Sequence, residues 1–134
     1  MPNRHAHIAR IALLLYLLAM GVAMILPLGT FSTSLYRLKL LGIRADHIVH
    51  AAMFLGLMLM MGLNRRVAQS AWGRSAWLWL GIAVLIAVGS ELVQHIVPQR
   101  KPSLSDLRAN LIGIALGLIP FLLVSRRAQR NRTS

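Results

Sequence analysis

IALLLYLLAMGVAMILPL, residues 11–28, is a run of eighteen residues without one charged side chain. A helix rises about 1.5 Å per residue and the hydrocarbon core of a bilayer is about 30 Å thick, so roughly 17 to 25 apolar residues span it. Three further uncharged stretches follow, His47 to Asn64, Ser75 to Ser90 and Ala109 to Ser125. Of the four, His47 to Asn64 and Ser75 to Ser90 reach across only if their polar ends lie in the interface. Hydrocarbon offers no partner to a backbone N–H or C=O, which excludes isolated strands over these lengths. The expected fold is all-α: an integral membrane bundle of four transmembrane helices.

Composition agrees. The chain has 134 residues, 57% hydrophobic and 13% charged, too apolar for a soluble domain of this size to hide in one core. The helices are expected over about 8–28, 47–64, 75–97 and 107–125. They form one transmembrane domain over 1–125, followed at 126–134 by a basic tail expected to be disordered. Arg4, His5, His7 and Arg10 before an apolar run resemble the start of a secretory leader. The run continues past Ala23 to Leu28, which favours a span that is kept.

The net charge of +12 does not imply nucleic acid, because the cations sit between apolar spans rather than on one basic face. Anionic headgroups account for them. The N-terminus, the second loop and the tail hold nine: Arg4, Arg10, Arg65, Arg66, Arg74, Arg126, Arg127, Arg130 and Arg132. The first and third loops hold six: Arg37, Lys39, Arg44, Arg100, Lys101 and Arg108. Cationic loops stay in the cytoplasm, so both termini are expected there, in a multi-pass protein of the bacterial cytoplasmic (inner) membrane. In the first loop, Leu35, Leu38 and Leu41 alternate with Arg37 and Lys39. That pattern suits either a short interfacial helix or an irregular loop with snorkelling cations.

The chain has only three carboxylates, Asp46, Glu91 and Asp106. Four alternating helices bring all three to one membrane face. Asp46, His47 and His50 share a helical surface at spacings of three and four, as do Glu91, Gln94 and His95, while Asp106 and Asn110 stand four apart. Their stripe continues into Gly113 and Gly117, the small-residue spacing that lets membrane helices approach closely. An isolated carboxylate at the depth of Glu91 is costly, so it must be paired, protonated or facing water. Arg100, in the proline-bounded loop VPQRKPSLSD, is its candidate partner. For Asp106, capping of the fourth helix is the structural alternative.

With no cysteine, disulfides and thiolate chemistry are excluded. His47, His50 and His95 with Asp46 or Glu91 make a conceivable metal set. An HxxH pair without the HExxH pattern is a weak signal, so neither a metal nor any other cofactor is expected. No serine lies in a GxSxG setting. His50, Glu91 and Asp106 are the candidate catalytic groups, with His47 or His50 as general base and Glu91 as acid.

These residues carry a resemblance. DHIVHAAMFLGL and SELVQHIVPQRKPSLSDLRANLIGIALG resemble the VanZ-like family of small bacterial membrane proteins, over about Asp46 to Gly117. The family pattern of Asp, His four later and then Phe falls on Asp46, His50 and Phe54. Its second block falls on Glu91, Gln94, Arg100, Asp106 and Asn110. Members often carry Lys directly after the first Asp, where this chain has His47. The resemblance implies a cell-envelope setting, and the family takes its name from a protein associated with resistance to the glycopeptide antibiotic teicoplanin. It supplies no reaction.

The function these observations favour is recognition of a cell-envelope lipid or lipid-linked precursor by an extracytoplasmic pocket. Asp46, His47, His50, Glu91, Gln94, Arg100, Asp106 and Asn110 would bind it, Arg100 at phosphate and the acids and amides at sugar or peptide groups. One rival is a membrane enzyme using His50 and Glu91 for acid–base chemistry on such a lipid. The other is an assembly protein whose glycine stripe binds a membrane-protein partner.

Overall fold

The computed structural model describes residues 4–25, 38–40, 42–68, 73–96 and 103–130, with side chains for all of these but 25, 65–68, 73–76 and 124–130. Four long helices dominate: α1 (Arg4–Ile25), α2 (Ala45–Ala68), α3 (Gly73–Gln94) and α4 (Leu104–Arg130). The shortest have 22 residues, roughly 33 Å at helical rise. All four are long and apolar enough to cross a membrane, so the chain is a multi-pass membrane protein of all-α class.

Some boundaries differ from the sequence reading, each for a local reason. α4 begins at Leu104 because Ser103 caps it: the Ser103 carbonyl accepts the N–H groups of Asp106 and Leu107, and its Oγ accepts the Ser105 N–H at 3.2 Å. The basic segment from 126 is helical as far as Arg130, since Arg, Ala and Gln continue a helix at little cost. The described part of the first loop is neither a helix nor irregular. β1 (Lys39–Leu40) pairs antiparallel with β2 (Ile43–Arg44). Gly42 closes their turn at φ +80°, a conformation glycine adopts without a Cβ penalty. Leu35 and Leu41 lie outside the described residues.

α2 is the spine of the bundle. Lipid is as apolar as leucine, so membrane helices associate through close packing rather than through escape from water. α2 and α4 meet accordingly on small residues. A Cβ added at Gly113 would collide with the Ala51 carbonyl, and one at Gly117 would lie 2.6 Å from the Met58 Cβ and 3.2 Å from the Leu55 Cα. Farther along, Gly62 packs against Phe121. Gly113 and Gly117 thus face the bundle, as their spacing implied. α1 docks on the other side of α2, where the Tyr16 hydroxyl donates to the Met53 carbonyl at 2.7 Å across Gly56. Phe54, Leu57, Met58, Ala83, Ala87 and Phe121 form the core between the helices. Leu14, Leu18, Leu85, Leu116 and Ile119 stand exposed around it, which is the surface lipid requires.

Candidate functional site

Successive helices reverse direction, so the N-termini of α2 and α4 and the C-terminus of α3 share one end of the bundle. Among the described residues, five polar side chains are buried there: Asp46, Glu91, Gln94, Asp106 and Asn110. The convergence of the three carboxylates anticipated from spacing is therefore present. How they are held was not anticipated.

Asn110, fully buried, is the centre of one network. Its amide nitrogen donates to Glu91 Oε1 at 3.1 Å, and its Oδ1 lies 2.9 Å from His50 Nδ1. Because Oδ1 can only accept, His50 Nδ1 carries the hydrogen, and in the neutral ring Nε2 keeps the lone pair. Glu91 Oε2 accepts the backbone N–H of Ser103 at 3.4 Å. The expected partner of Glu91, Arg100, lies outside the described residues. The Asn110 side-chain amide thus links His50 to Glu91.

The second grouping involves Asp46, His47 and Asp106. Arg44, two residues before Asp46, grips its carboxylate with both arms of the guanidinium, with Nε at 3.1 Å from Oδ1. This fork-to-fork pairing fixes the orientation of the carboxylate. His47 Nε2 lies 3.3 Å from Asp106 Oδ1, yet both atoms are buried and lack a hydrogen-bond partner among the described residues. They face each other without the alignment of a hydrogen bond.

Asp106 is not the helix cap. In a capping box the acid three residues after the cap would accept the N–H of Ser103. That N–H is directed to Glu91 instead, which leaves the Asp106 carboxylate to face His47. The metal set weighed from the sequence is not assembled either: His50 is engaged by Asn110, and His95 is exposed in the turn after α3. The ligating atoms that do come together, within 4.8 Å of one another, belong to Asp46, His47 and Asp106. Gln94 lies buried beside Glu91 in sequence, its Nε2 without a hydrogen-bond partner among the described residues.

Two contributors escaped the sequence reading, Arg44 and Ser103. Both had a signal: a cation two residues from a helix-opening acid, and the S-x-x-D pattern of Ser103 to Asp106.

Alongside this end runs an apolar groove between α1 and α3, of about 190 Å³. Leu17, Met20 and Met24 line it from α1, and Ile86, Ser90 and Val93 from α3. Ser90 and Val93 flank Glu91 in the sequence.

No curated protein and no solved structure matches the chain. The family model described as VanZ/LLP1 matches residues 4–125, a span that takes in α1, α2, α3, α4 as far as Ser125 and every residue of the polar end. On that match the chain belongs to the VanZ/LLP1 family.

Proposed function

We propose that the polar end recognises the headgroup of a cell-envelope lipid or of a lipid-linked precursor, from the outer side of the bacterial cytoplasmic membrane. One observation carries the reading: Gln94 Nε2 and Asp106 Oδ1 are buried without a hydrogen-bond partner among the described residues. A cluster that served only to fasten helices would satisfy its own groups, because an unmet buried polar atom costs about 1–3 kcal/mol. A ligand bearing hydroxyl, amide or phosphate groups would meet them. The apolar groove between α1 and α3 suits an acyl chain beside such a headgroup. Arg100 remains the proposed phosphate contact, and His47, His50 and Asp46 line the same end. The positive-inside count supports an orientation with this end outside the cytoplasm and both termini inside. A link to glycopeptide resistance of the teicoplanin type enters with the family.

The test is a mass-spectrometric inventory of lipids that copurify with the intact protein and with Asn110→Ala. A headgroup class enriched on the wild type and lost from the folded variant supports the reading. Identical lipid profiles for the two overturn it.

An acid–base enzyme is the second reading, favoured by the orientation of His50. With Nδ1–H held by Asn110, Nε2 is set as a base, in the way catalytic histidines are oriented by a partner on the opposite nitrogen. Glu91→Gln separates the two readings, since it removes an acid yet can still hydrogen-bond a headgroup.

A further inference from the structure

Asp46, His47 and Asp106 are the one grouping in which three side chains of metal-ligating type converge among the described residues. Their geometry suits a cation better than it suits the contacts visible between them. Asp106 is 2% exposed, its Oδ1 has no hydrogen-bond partner among the described residues, and its usual employment as a capping acid is taken away by Glu91. His47 Nε2 faces that oxygen at 3.3 Å without hydrogen-bond alignment. Two donors each about 2.1 Å from one metal ion, at angles between octahedral and tetrahedral, stand roughly 3.0–3.4 Å apart.

Asp46 completes the set. Its carboxylate is held by Arg44, but each oxygen keeps a second lone pair. Ligating carboxylates are commonly oriented by an outer hydrogen-bond donor in this way. The local charge points in the same direction. Among the described residues, Asp46, Glu91 and Asp106 gather beside one guanidinium, that of Arg44, while Lys39 and Arg108 at this end are exposed.

We propose that Asp46, His47 and Asp106 bind a divalent transition-metal ion, Mn²⁺ or Zn²⁺ in character. The imidazole argues against Mg²⁺ and Ca²⁺, which prefer oxygen alone. Three protein ligands leave positions open to water or to a phosphate oxygen. The phosphate step rests on the lipid reading above. The ion site does not, and it is measured in detergent with no lipid added.

The experiment is Mn²⁺ titration of the purified, chelator-stripped full chain, followed by electron paramagnetic resonance. The wild type should remove free Mn²⁺ from solution at one ion per chain, and the bound ion should show a nitrogen coupling from one imidazole. His47→Ala should abolish that coupling, Asp106→Asn should weaken binding roughly tenfold or more, and His95→Ala should change neither. Absence of binding up to millimolar Mn²⁺ in folded wild type overturns the proposal. So does a bound ion without nitrogen coupling, or a coupling that survives His47→Ala. The wild-type spectrum decides the first two without any variant, so a substitution that fails to fold leaves the proposal open to refutation. Loss of lipid enrichment with Mn²⁺ binding intact would defeat the lipid reading alone.

Discussion

The seam between α2 and α4 has two halves that obey different rules. In the apolar half, Ala51 meets Gly113 and Met58 meets Gly117 so closely that a single added carbon has no room. In the polar half, His50 and Asn110 are bonded, but His47 Nε2 and Asp106 Oδ1 confront each other, neither with a hydrogen-bond partner among the described residues. One half is packed to hold helices together where lipid gives them no other reason to associate. The other leaves buried polar atoms without a hydrogen-bond partner among the described residues, at a cost to stability. That division of labour is common where a site must meet something other than the protein itself.

The largest expected effect is all or none and concerns which side the polar half faces. The chain has no cysteine, so single cysteines are clean probes. A membrane-impermeant thiol reagent on intact cells should label Leu104→Cys, exposed at the polar end, and not Arg4→Cys at the opposite end. The reverse pattern would turn the bundle over and move the site to the cytoplasm.

Next comes the apolar half. Gly113→Leu drives a branched side chain into the Ala51 backbone and should destabilise the bundle by about 3 kcal/mol, read from unfolding in mixed micelles. Unchanged stability would mean that α2 and α4 do not meet there. In the polar half, Asn110→Ala strands both His50 Nδ1 and Glu91 Oε1 and should cost about 1–3 kcal/mol for each group left unpaired. A neutral outcome would break the network described.

The comparison is sharpest at Asp106→Asn. If that carboxylate is held ready for a ligand, removing its charge should change stability by less than about 1 kcal/mol, and in the stabilising direction. Function should be lost with the fold intact. Strong destabilisation would instead make Asp106 a structural ion-pair partner of His47. Leu116→Ile, on the exposed face of α4, should shift stability by under about 0.5 kcal/mol in the same assay, and a larger change would show that this face is covered.

The first loop shows how local rules can mislead where the apolar signal is weak. Its leucines, spaced by three, suit either an interfacial helix or an irregular loop, yet in the described part Gly42 reverses the chain and Lys39 pairs with Arg44. That turn has a consequence for the site, because the reversal leads directly into α2 with Arg44 placed to grip Asp46.

The sequence by itself determined the four spans and the end at which the acids gather. Uncharged stretches of sufficient length in lipid must be helical, and short connections force alternate helices to reverse. It also located the close approach of α4, because glycine at a spacing of four leaves a groove that only another backbone fills. Only the tertiary structure decided the pairings inside the polar end. Glu91 bonds Asn110 and the backbone of Ser103, nineteen and twelve residues away, and Asp106 faces His47 from a different helix. Spacing along one helix says which side chains share a face. The rotation and depth of the neighbouring helix decide which of several eligible groups each one meets.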